Sequence, residues 1–217
     1  MESQFKDRRT AGRLLADALR TYAEREDLLV FALPRGGVPV GYEVAKELGA
    51  ELDVLIVRKL GVPGQPEVAM GAISSGDALY LNEQILKFAE IGSREIEAVL
   101  ERERRELARR ESAYRGSRPT AKVEGRTVIV VDDGIATGAS MRAALLALRG
   151  KKPEHIVVAV PVAPPDAREK FRDVADEYVC VLSPHSFQAV GEFYEDFSET
   201  QDAEVRALLA DAHTESR

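Results

Sequence analysis

The chain has 217 residues, of which 45% are hydrophobic and 31% charged, so it can bury the core of a compact domain and is no disordered tail. Acidic residues outnumber basic ones by 37 to 30, and the resulting net charge of -7 counts against a surface devoted to duplex nucleic acid or anionic membrane. With one cysteine, three histidines, a charged N-terminal segment and no long apolar stretch, the chain is expected to be a cytoplasmic protein without disulfide, structural zinc, signal peptide or membrane span.

The first third of the chain predicts a helix followed by a β-α-β unit. Apolar residues recur at helical spacing over 8–24. The continuous apolar run LLVFAL at 28–33 has the pattern of a strand buried on both faces, and a helix over about 38–48 and a second buried strand at 52–57 follow it. Units of this kind are usually right-handed crossovers, so both strands are expected in one parallel sheet.

The segment RKLGVPGQPEVAMGA at 58–72 places glycines and prolines between apolar residues. This composition is typical of a mobile loop, and such loops often serve as lids. Residues 69–73 and 78–81 are predicted to pair as a hairpin across 75–77.

A long charged helix is predicted over 93–114, where residues of both signs alternate around a narrow apolar stripe. Its arginines could form a nucleic-acid surface. Because acidic residues interleave with them, the favoured interpretation is a helix with a solvated face.

The second half of the chain alternates apolar runs with helical segments. Strands are predicted at 128–131, 156–160 and 177–181, and helices at 139–149, 165–173 and 198–212, the last capped by Ser198. This alternation predicts an α/β fold with a doubly wound, mainly parallel five-stranded sheet and helices on both faces. We expect one domain over 1–217, with its core at about 8–182 and a C-terminal hood and helix at about 183–213.

The segment VIVVDDGIATGAS at 128–140 carries the strongest chemical signal. A buried strand delivers two adjacent carboxylates, Asp132 and Asp133, to the sheet edge where α/β folds bind ligands. Carboxylate oxygens there can accept hydrogen bonds from a vicinal diol. An ordinary turn and helix cap would instead leave two neighbouring acids at the end of a buried strand without partners, which is unfavourable.

The loop after these acids predicts a phosphate site. Its glycines let backbone N–H groups approach an anion, its hydroxyl residues can donate hydrogen bonds, and the helix N-terminus adds about half a positive charge. The residues concerned are Gly134, Thr137, Gly138 and Ser140. The loop is not a Walker motif, because position 139 is alanine instead of lysine. A phosphate beside a diol suggests ribose 5-phosphate.

A second and weaker anion signal follows the first strand. The segment PRGG at 34–37 combines a glycine turn, a helix N-terminus and one arginine, Arg35, although a plain strand-to-helix turn has the same pattern. Arg58 and Lys59 end the next predicted strand, so we expect them at the same sheet edge. Two anion sites on either side of a diol describe 5-phosphoribosyl 1-diphosphate (PRPP).

These motifs resemble those of a known family. VIVVDDGIATGAS resembles the PRPP-binding motif of type I phosphoribosyltransferases, PRGG is similar to the pyrophosphate loop of that family, and RKLGVPGQPE is similar to the start of its flexible catalytic loop. The segments FKDRRTAGRLLADAL and AVGEFYEDF extend the resemblance over nearly the whole chain, to a bacterial subgroup whose acceptor is unassigned.

The resemblance implies a Mg²⁺-dependent enzyme that transfers 5-phosphoribosyl from PRPP to a small-molecule nitrogen nucleophile, for example a nucleobase, and releases diphosphate. Asp132 and Asp133 would bind the ribose hydroxyls, directly or through Mg²⁺. The 5-phosphate would be held by Gly134, Ile135, Ala136, Thr137, Gly138, Ala139 and Ser140. The diphosphate would be held by Arg35, Gly36, Gly37, Arg58 and Lys59, with a non-proline cis peptide in the PRGG loop as in relatives.

In the family, cations and Mg²⁺ stabilise the departing diphosphate. The loop at 61–68 would close and exclude water, and its Glu67 is either the proton acceptor of the nucleophile or a solvated loop acid. Together with Asp132, Asp133, Arg35 and Lys59, it completes the catalytic set that the resemblance implies. Family enzymes for 6-oxopurines carry an aspartate where this chain has Ala136, which disfavours hypoxanthine, guanine and xanthine.

Alternatives remain for the function and for the hood. A non-catalytic PRPP or nucleotide sensor would use the same fold, although Arg35, Arg58 and Lys59 would then have no purpose, and a PRPP hydrolase would use water as acceptor. In the hood, Phe187 or Tyr194 would stack on a base, or the aromatic residues form a cluster that closes the domain, which is favoured. Family members are often dimers, so a homodimer is open by analogy.

Overall fold

The structure is a computed structural model that describes residues 4–116 and 118–215, apart from the side chains of Glu67 and Glu215. The helices are α1 (Arg8–Ala18), α2 (Gly37–Leu48), α3 (Glu83–Phe88), α4 (Ser93–Arg115), α5 (Ala139–Arg149) and α6 (Asp202–Glu215). The strands are β1 (Leu28–Ala32), β2 (Glu51–Val54), β3 (Val57–Val62), β4 (Gln65–Ser74), β5 (Ala78–Leu81), β6 (Thr127–Val131), β7 (His155–Val162) and β8 (Glu177–Leu182).

Five strands form one parallel sheet in the order β2-β1-β6-β7-β8. Alternate residues of each strand point to opposite faces. Val30 and Ile129 pack with α1, α2, α4 and α6, whereas Leu29 and Val128 pack with α5. Helices therefore cover both faces, and the predicted doubly wound α/β fold is confirmed.

Several predicted bounds differ from the observed ones. The first helix ends at Ala18 and is followed by a 3-10 turn, and the segment predicted as a helix at 165–173 is a 3-10 turn at Ala167–Phe171. The strand predicted at 52–57 ends at Val54, because the chain leaves the parallel sheet there and enters β3. Helix α6 begins at Asp202 instead of 198, since the carbonyl of Ser198 is held by a side chain of α1.

The prediction of a mobile loop over 58–72 was wrong. This segment forms most of β3 and β4, which pair antiparallel and join β5 in a second, three-stranded sheet. Pro63 and Gly64 connect the two strands, with Gly64 at φ +78°, and a turn with proline second and glycine third explains the composition. The hairpin predicted between 69–73 and 78–81 is confirmed as β4 and β5.

The charged helix is confirmed as α4. Its exposed arginines pair with glutamates one turn away, as Arg105 does with Glu101 and Arg110 with Glu106. Arg115 at its end is buried and binds Asp53, which anchors the helix to β2. Within the described residues, no helix combines the length and apolar character that a membrane crossing requires.

Candidate anion-binding site

The two predicted anion loops are neighbours because β1 and β6 are neighbours. These strands pair in parallel register, with Ala32 opposite Val131, so the segments that follow them leave the sheet at the same edge. The PRGG loop follows β1 and contains a cis peptide between Pro34 and Arg35, as the resemblance implied. The loop after β6 begins with Asp132 and Asp133 and ends at the first turn of α5.

The two loops touch at the glycines of PRGG. A Cβ atom on Gly36 would overlap with the carboxylate of Asp133, and one on Gly37 would lie 2.9 Å from the carbonyl oxygen of Val131. Only hydrogen at these two positions leaves room for the carboxylate pair. The PRGG loop and the acidic pair therefore form one continuous surface.

Both residues of the acidic pair are half-buried. The side chain of Asp133 is 15% exposed, and its Oδ2 accepts a hydrogen bond from Nε of Arg8 at 2.8 Å. Burial and the neighbouring charge of Asp133 raise the pKa of Asp132 well above its ordinary value. Burial also raises the pKa of Asp133, and the ion pair with Arg8 opposes that increase. Another cation or a hydrogen-bond donor at Asp132 would favour its charged form.

The loop at 134–140 has the features of a phosphate site. The residues Ala136, Thr137, Ala139 and Ser140 are exposed at the start of α5. Amides in the first turn of a helix have no acceptor within the helix, so they are available to an anion. Ile135 is different, because its side chain is buried and its amide donates to the carbonyl of Val162 at 2.9 Å.

The glycines of this loop are needed for packing on the protein side. A Cβ on Gly134 would lie 2.5 Å from Cγ1 of Val190, and one on Gly138 would lie 2.9 Å from Cζ of Phe171. Gly138 also has φ +81°, a conformation that favours glycine. These glycines let the loop pack closely against the hood and the 3-10 turn.

The segment 194–202 covers one side of the site. The hydroxyl of Tyr194 donates to the carbonyl oxygen of Asp133 at 2.5 Å. Glu199 forms an ion pair with Arg35, and the carboxylate of Asp202 lies 3.8 Å from Nη1 of the same arginine. In this structure the one cation of the PRGG loop therefore faces two acids of its own chain.

The aromatic residues of the hood form a cluster, as was favoured. Phe193 and Tyr194 are buried with Phe5 and Val162, and Phe187 stacks on Phe193 with 5.5 Å between ring centroids. Tyr194 is buried in this packing, so a base would have to displace the packing in order to stack on Tyr194.

The remaining predicted residues lie elsewhere. Arg58 and Lys59 do not end a strand of the parallel sheet, as was expected, but lie in β3 of the second sheet. Arg58 donates to the carboxylate of Glu103 on α4 at 2.6 Å, while Lys59 lines a pocket of about 500 Å³ together with Ser140. The structure thus brings Lys59 near the loop at 134–140 and pairs Arg58 with α4. The side chain of Glu67 lies outside the described part of the chain.

Sequence reasoning missed Arg8. The structure shows why the position is unusual. Asp7 caps α1 by accepting a hydrogen bond from the amide of Thr10, which places Arg8 at the first helical position. A cation is unfavourable there, because the helix N-terminus is itself positive. Such a residue calls for a partner, but its position gives no clue to which one.

The acidic pair has the donor chemistry that Mg²⁺ prefers. Among the residues described, no group of three or more His, Cys, Asp or Glu side chains is arranged to hold a metal ion. Mg²⁺ is commonly bound through one or two carboxylates together with phosphate oxygens of a substrate. Asp132 and Asp133 fit a Mg²⁺ ion that is bound jointly by protein carboxylates and substrate phosphates.

Comparisons with known proteins agree with these features. The sequence pattern of the phosphoribosyl transferase domain matches residues 3–197. A protein of Mycobacterium tuberculosis (strain H37Rv), whose name assigns it provisionally to the phosphoribosyl transferases, is 44% identical over 209 residues, which are 96% of this chain and 47% of that protein. The chain thus spans about half the length of the curated relatives it matches.

Two solved structures are also similar. The crystal structure of TT1426 from Thermus thermophilus has a TM-score of 0.86 and 47% sequence identity, and the match covers 96% of this chain and 98% of that one. A hypothetical protein from Neisseria gonorrhoeae with bound ppGpp has a TM-score of 0.50 and 13% identity, over 97% of this chain and 98% of that one. The second likeness shows a shared fold.

Proposed function

This chain belongs to the phosphoribosyl transferase domain family, and from that premise we propose that it transfers the 5-phosphoribosyl group of PRPP to a nitrogen nucleophile, with Mg²⁺, and releases diphosphate. The observation that carries the proposal is the contact between Gly36 and Asp133, which joins the PRGG loop to the acidic pair. The loop at 134–140, our proposed site for the 5-phosphate, directly follows the same pair along the chain. This order matches the order of diphosphate, ribose and 5-phosphate in PRPP.

Each group of PRPP has a place in this arrangement. The loop at 136–140 binds the 5-phosphate through its backbone amides and hydroxyls, and the carboxylates of Asp132 and Asp133 accept hydrogen bonds from the ribose hydroxyls. Arg35 and the backbone of Gly36 and Gly37 bind the diphosphate. When bound, Mg²⁺ neutralises charge on the diphosphate and thereby makes it a better leaving group.

The reaction exchanges one bond at the anomeric carbon for another. The bond from this carbon to the diphosphate oxygen breaks, the nitrogen of the acceptor forms a bond to the same carbon, and its proton leaves to a base. The sugar carries positive charge as the diphosphate departs, and Asp132 and Asp133 lie on the ribose side where they stabilise it. Arg35 stabilises the negative charge on the leaving group, and Glu67 is our candidate for the base.

The first test follows diphosphate release. The protein is incubated with PRPP, Mg²⁺ and a panel of nucleobases and other nitrogen nucleophiles, one at a time. Release that depends on one acceptor supports the transferase, and we expect hypoxanthine, guanine and xanthine to be inactive. Release without any acceptor would mean a hydrolase, and tight binding of PRPP without release would mean a sensor; either result would overturn the proposal.

The contact between Arg35 and Glu199 gives a further prediction. A diphosphate group has to displace Glu199 from Arg35, so Glu199→Gln should tighten binding of inorganic diphosphate. Exposed ion pairs contribute about 0.2–1 kcal/mol, so we expect a gain in affinity of up to about fivefold in isothermal titration calorimetry.

The matched control is Glu195→Gln, which removes the same charge from an exposed position in the same segment. It should leave the affinity for diphosphate unchanged. Equal gains in the two variants would mean that Glu199 acts only through the overall charge, and no gain in Glu199→Gln would contradict competition at Arg35.

A further inference from the structure

The side chain of Arg8 lies at the point where the N-terminal helix, the acidic pair and the C-terminal segment meet. Its Nε donates to Oδ2 of Asp133 at 2.8 Å, and its Nη1 donates to the carbonyl oxygen of Ser198 at 2.7 Å. The guanidinium carbon lies 4.0 Å from the centroid of the Phe197 ring, within the range of a cation–π contact. One side chain therefore makes three contacts to two distant parts of the chain.

The burial of Arg8 separates it from the other cations of the same helix. Its side chain is 12% exposed, whereas those of Arg9 and Arg13 are each 50% exposed. A buried guanidinium at a positive helix N-terminus is unfavourable unless it is paired and hydrogen-bonded. The three contacts provide that compensation, so the position of Arg8 is set by Asp133 and by residues 197–198.

Arg8 also lies beside the PRGG loop. A Cβ on Gly36 would overlap with the Asp133 carboxylate and would lie 3.3 Å from Nε of Arg8. Arg8 and Gly36 thus both lie against Oδ2 of this carboxylate. Tyr194 fixes the same residue through its backbone carbonyl. With the backbone and one carboxylate oxygen held, the other oxygen of Asp133 has a defined direction.

We propose that Arg8 is a positioning residue of the PRPP site, which acts through Asp133 by fixing the carboxylate toward the ribose and by holding residues 197–198 over it. The inference rests on the proposed function, because it assigns a purpose to the orientation of Asp133. Arginine suits this role, since its planar guanidinium can donate to two acceptors at once while it stacks on an aromatic ring.

The test compares three variants by isothermal titration calorimetry with PRPP and with inorganic diphosphate, each with Mg²⁺ and without an acceptor. Arg8→Gln should weaken PRPP binding about 10–100-fold, the usual cost of losing a group that orients a ligand-binding side chain. Binding of diphosphate should stay close to that of the wild type, because the PRGG loop is retained. Arg8→Lys keeps the charge but loses the forked geometry, so it should recover part of the affinity for PRPP.

The control is Arg9→Gln, which removes a neighbouring cation that faces Glu43 at 3.4 Å instead of Asp133. It should bind both ligands like the wild type. If Arg8→Gln does not fold, Arg8→Lys decides the question, with weaker binding of PRPP but not of diphosphate as the expected result.

Three outcomes would overturn the inference. Wild-type affinity for PRPP in the Arg8 variants would show that Asp133 does not depend on Arg8. An equal loss of PRPP and diphosphate binding would show a general structural role. Failure of the wild-type protein to bind PRPP would refute the proposed function and, with it, this inference, so the wild-type titration tells the two failures apart.

Discussion

Asp132→Asn is expected to abolish measurable PRPP binding while the protein stays at least as stable as the wild type. The amide has the shape of the carboxylate but no negative charge, so it cannot bind Mg²⁺ in the same way or stabilise positive charge on the ribose. We expect affinity for PRPP to fall at least about 100-fold in isothermal titration calorimetry with Mg²⁺ present.

The thermal stability of Asp132→Asn should not fall with its affinity for PRPP. Burial and the charge of Asp133 raise the pKa of Asp132, so the native protein binds a proton there more tightly than the unfolded chain does. Stability is then lost as the pH rises above the ordinary pKa of an aspartate, and at neutral pH ionising Asp132 disfavours the folded state. Asparagine removes that cost, so the thermal midpoint should be unchanged or higher.

Asp133→Asn is the matched comparison. It should also abolish PRPP binding. Like Asp132→Asn it removes the cost of ionising a shielded carboxylate, but it also leaves the guanidinium of Arg8 without its carboxylate, so its thermal midpoint should lie below that of Asp132→Asn. Wild-type affinity in both variants would refute the assignment of the acidic pair. A lower midpoint in Asp132→Asn would contradict the electrostatic account of that residue.

Gly36→Ala is expected to weaken PRPP binding about as much as Asp132→Asn does, and to destabilise the protein as well. The added methyl group would overlap with the Asp133 carboxylate, and either the PRGG loop or the acidic pair has to move. Overpacking of this kind costs about 1–3 kcal/mol. A displacement of about 1 Å in a binding site can reduce function about 100-fold, which we expect for affinity toward both PRPP and diphosphate.

Gly92→Ala serves as the control for this variant. Position 92 has a negative φ of -79°, and the nearest atom to an added Cβ would be an oxygen of Glu95 at 3.6 Å, an ordinary contact. It should leave binding at the wild-type value and lower the thermal midpoint only slightly, because position 92 is the N-cap of α4, where glycine is preferred to alanine. Normal PRPP affinity in Gly36→Ala would show that the two loops are not in contact when the ligand is bound.

The sequence was most informative where local pattern and burial agree. The apolar runs at 28–33 and 128–131 became β1 and β6, and Gly49 ends α2 with φ +66°. A strand buried on both faces has few alternatives to the interior of a parallel sheet. Because the two loops follow these two strands, their proximity could be predicted before the structure was known.

The parts that were missed depend on partners far away in the chain. Gly61, Pro63 and Gly64 give the same composition in a lid as in a hairpin, and the antiparallel pairing of β3 with β4 was decided by the burial of Leu60 and Met70. Local composition does not encode that burial. For the same reason, the pattern around Arg58 gave no sign of Glu103, which lies on the long helix.

The contact between Arg8 and Ser198 has a consequence for how the protein is made. These residues are 190 positions apart, and Arg8 is also 125 positions from Asp133. Contacts of such long separation form late, because closing a long loop costs entropy before any contact is gained. During synthesis, the loop at 134–140 and PRGG leave the ribosome long before residues 194–199. A nascent chain can therefore contain every residue of both loops and still have an open, misaligned carboxylate pair, so ligand binding should begin only when the end of the domain has emerged.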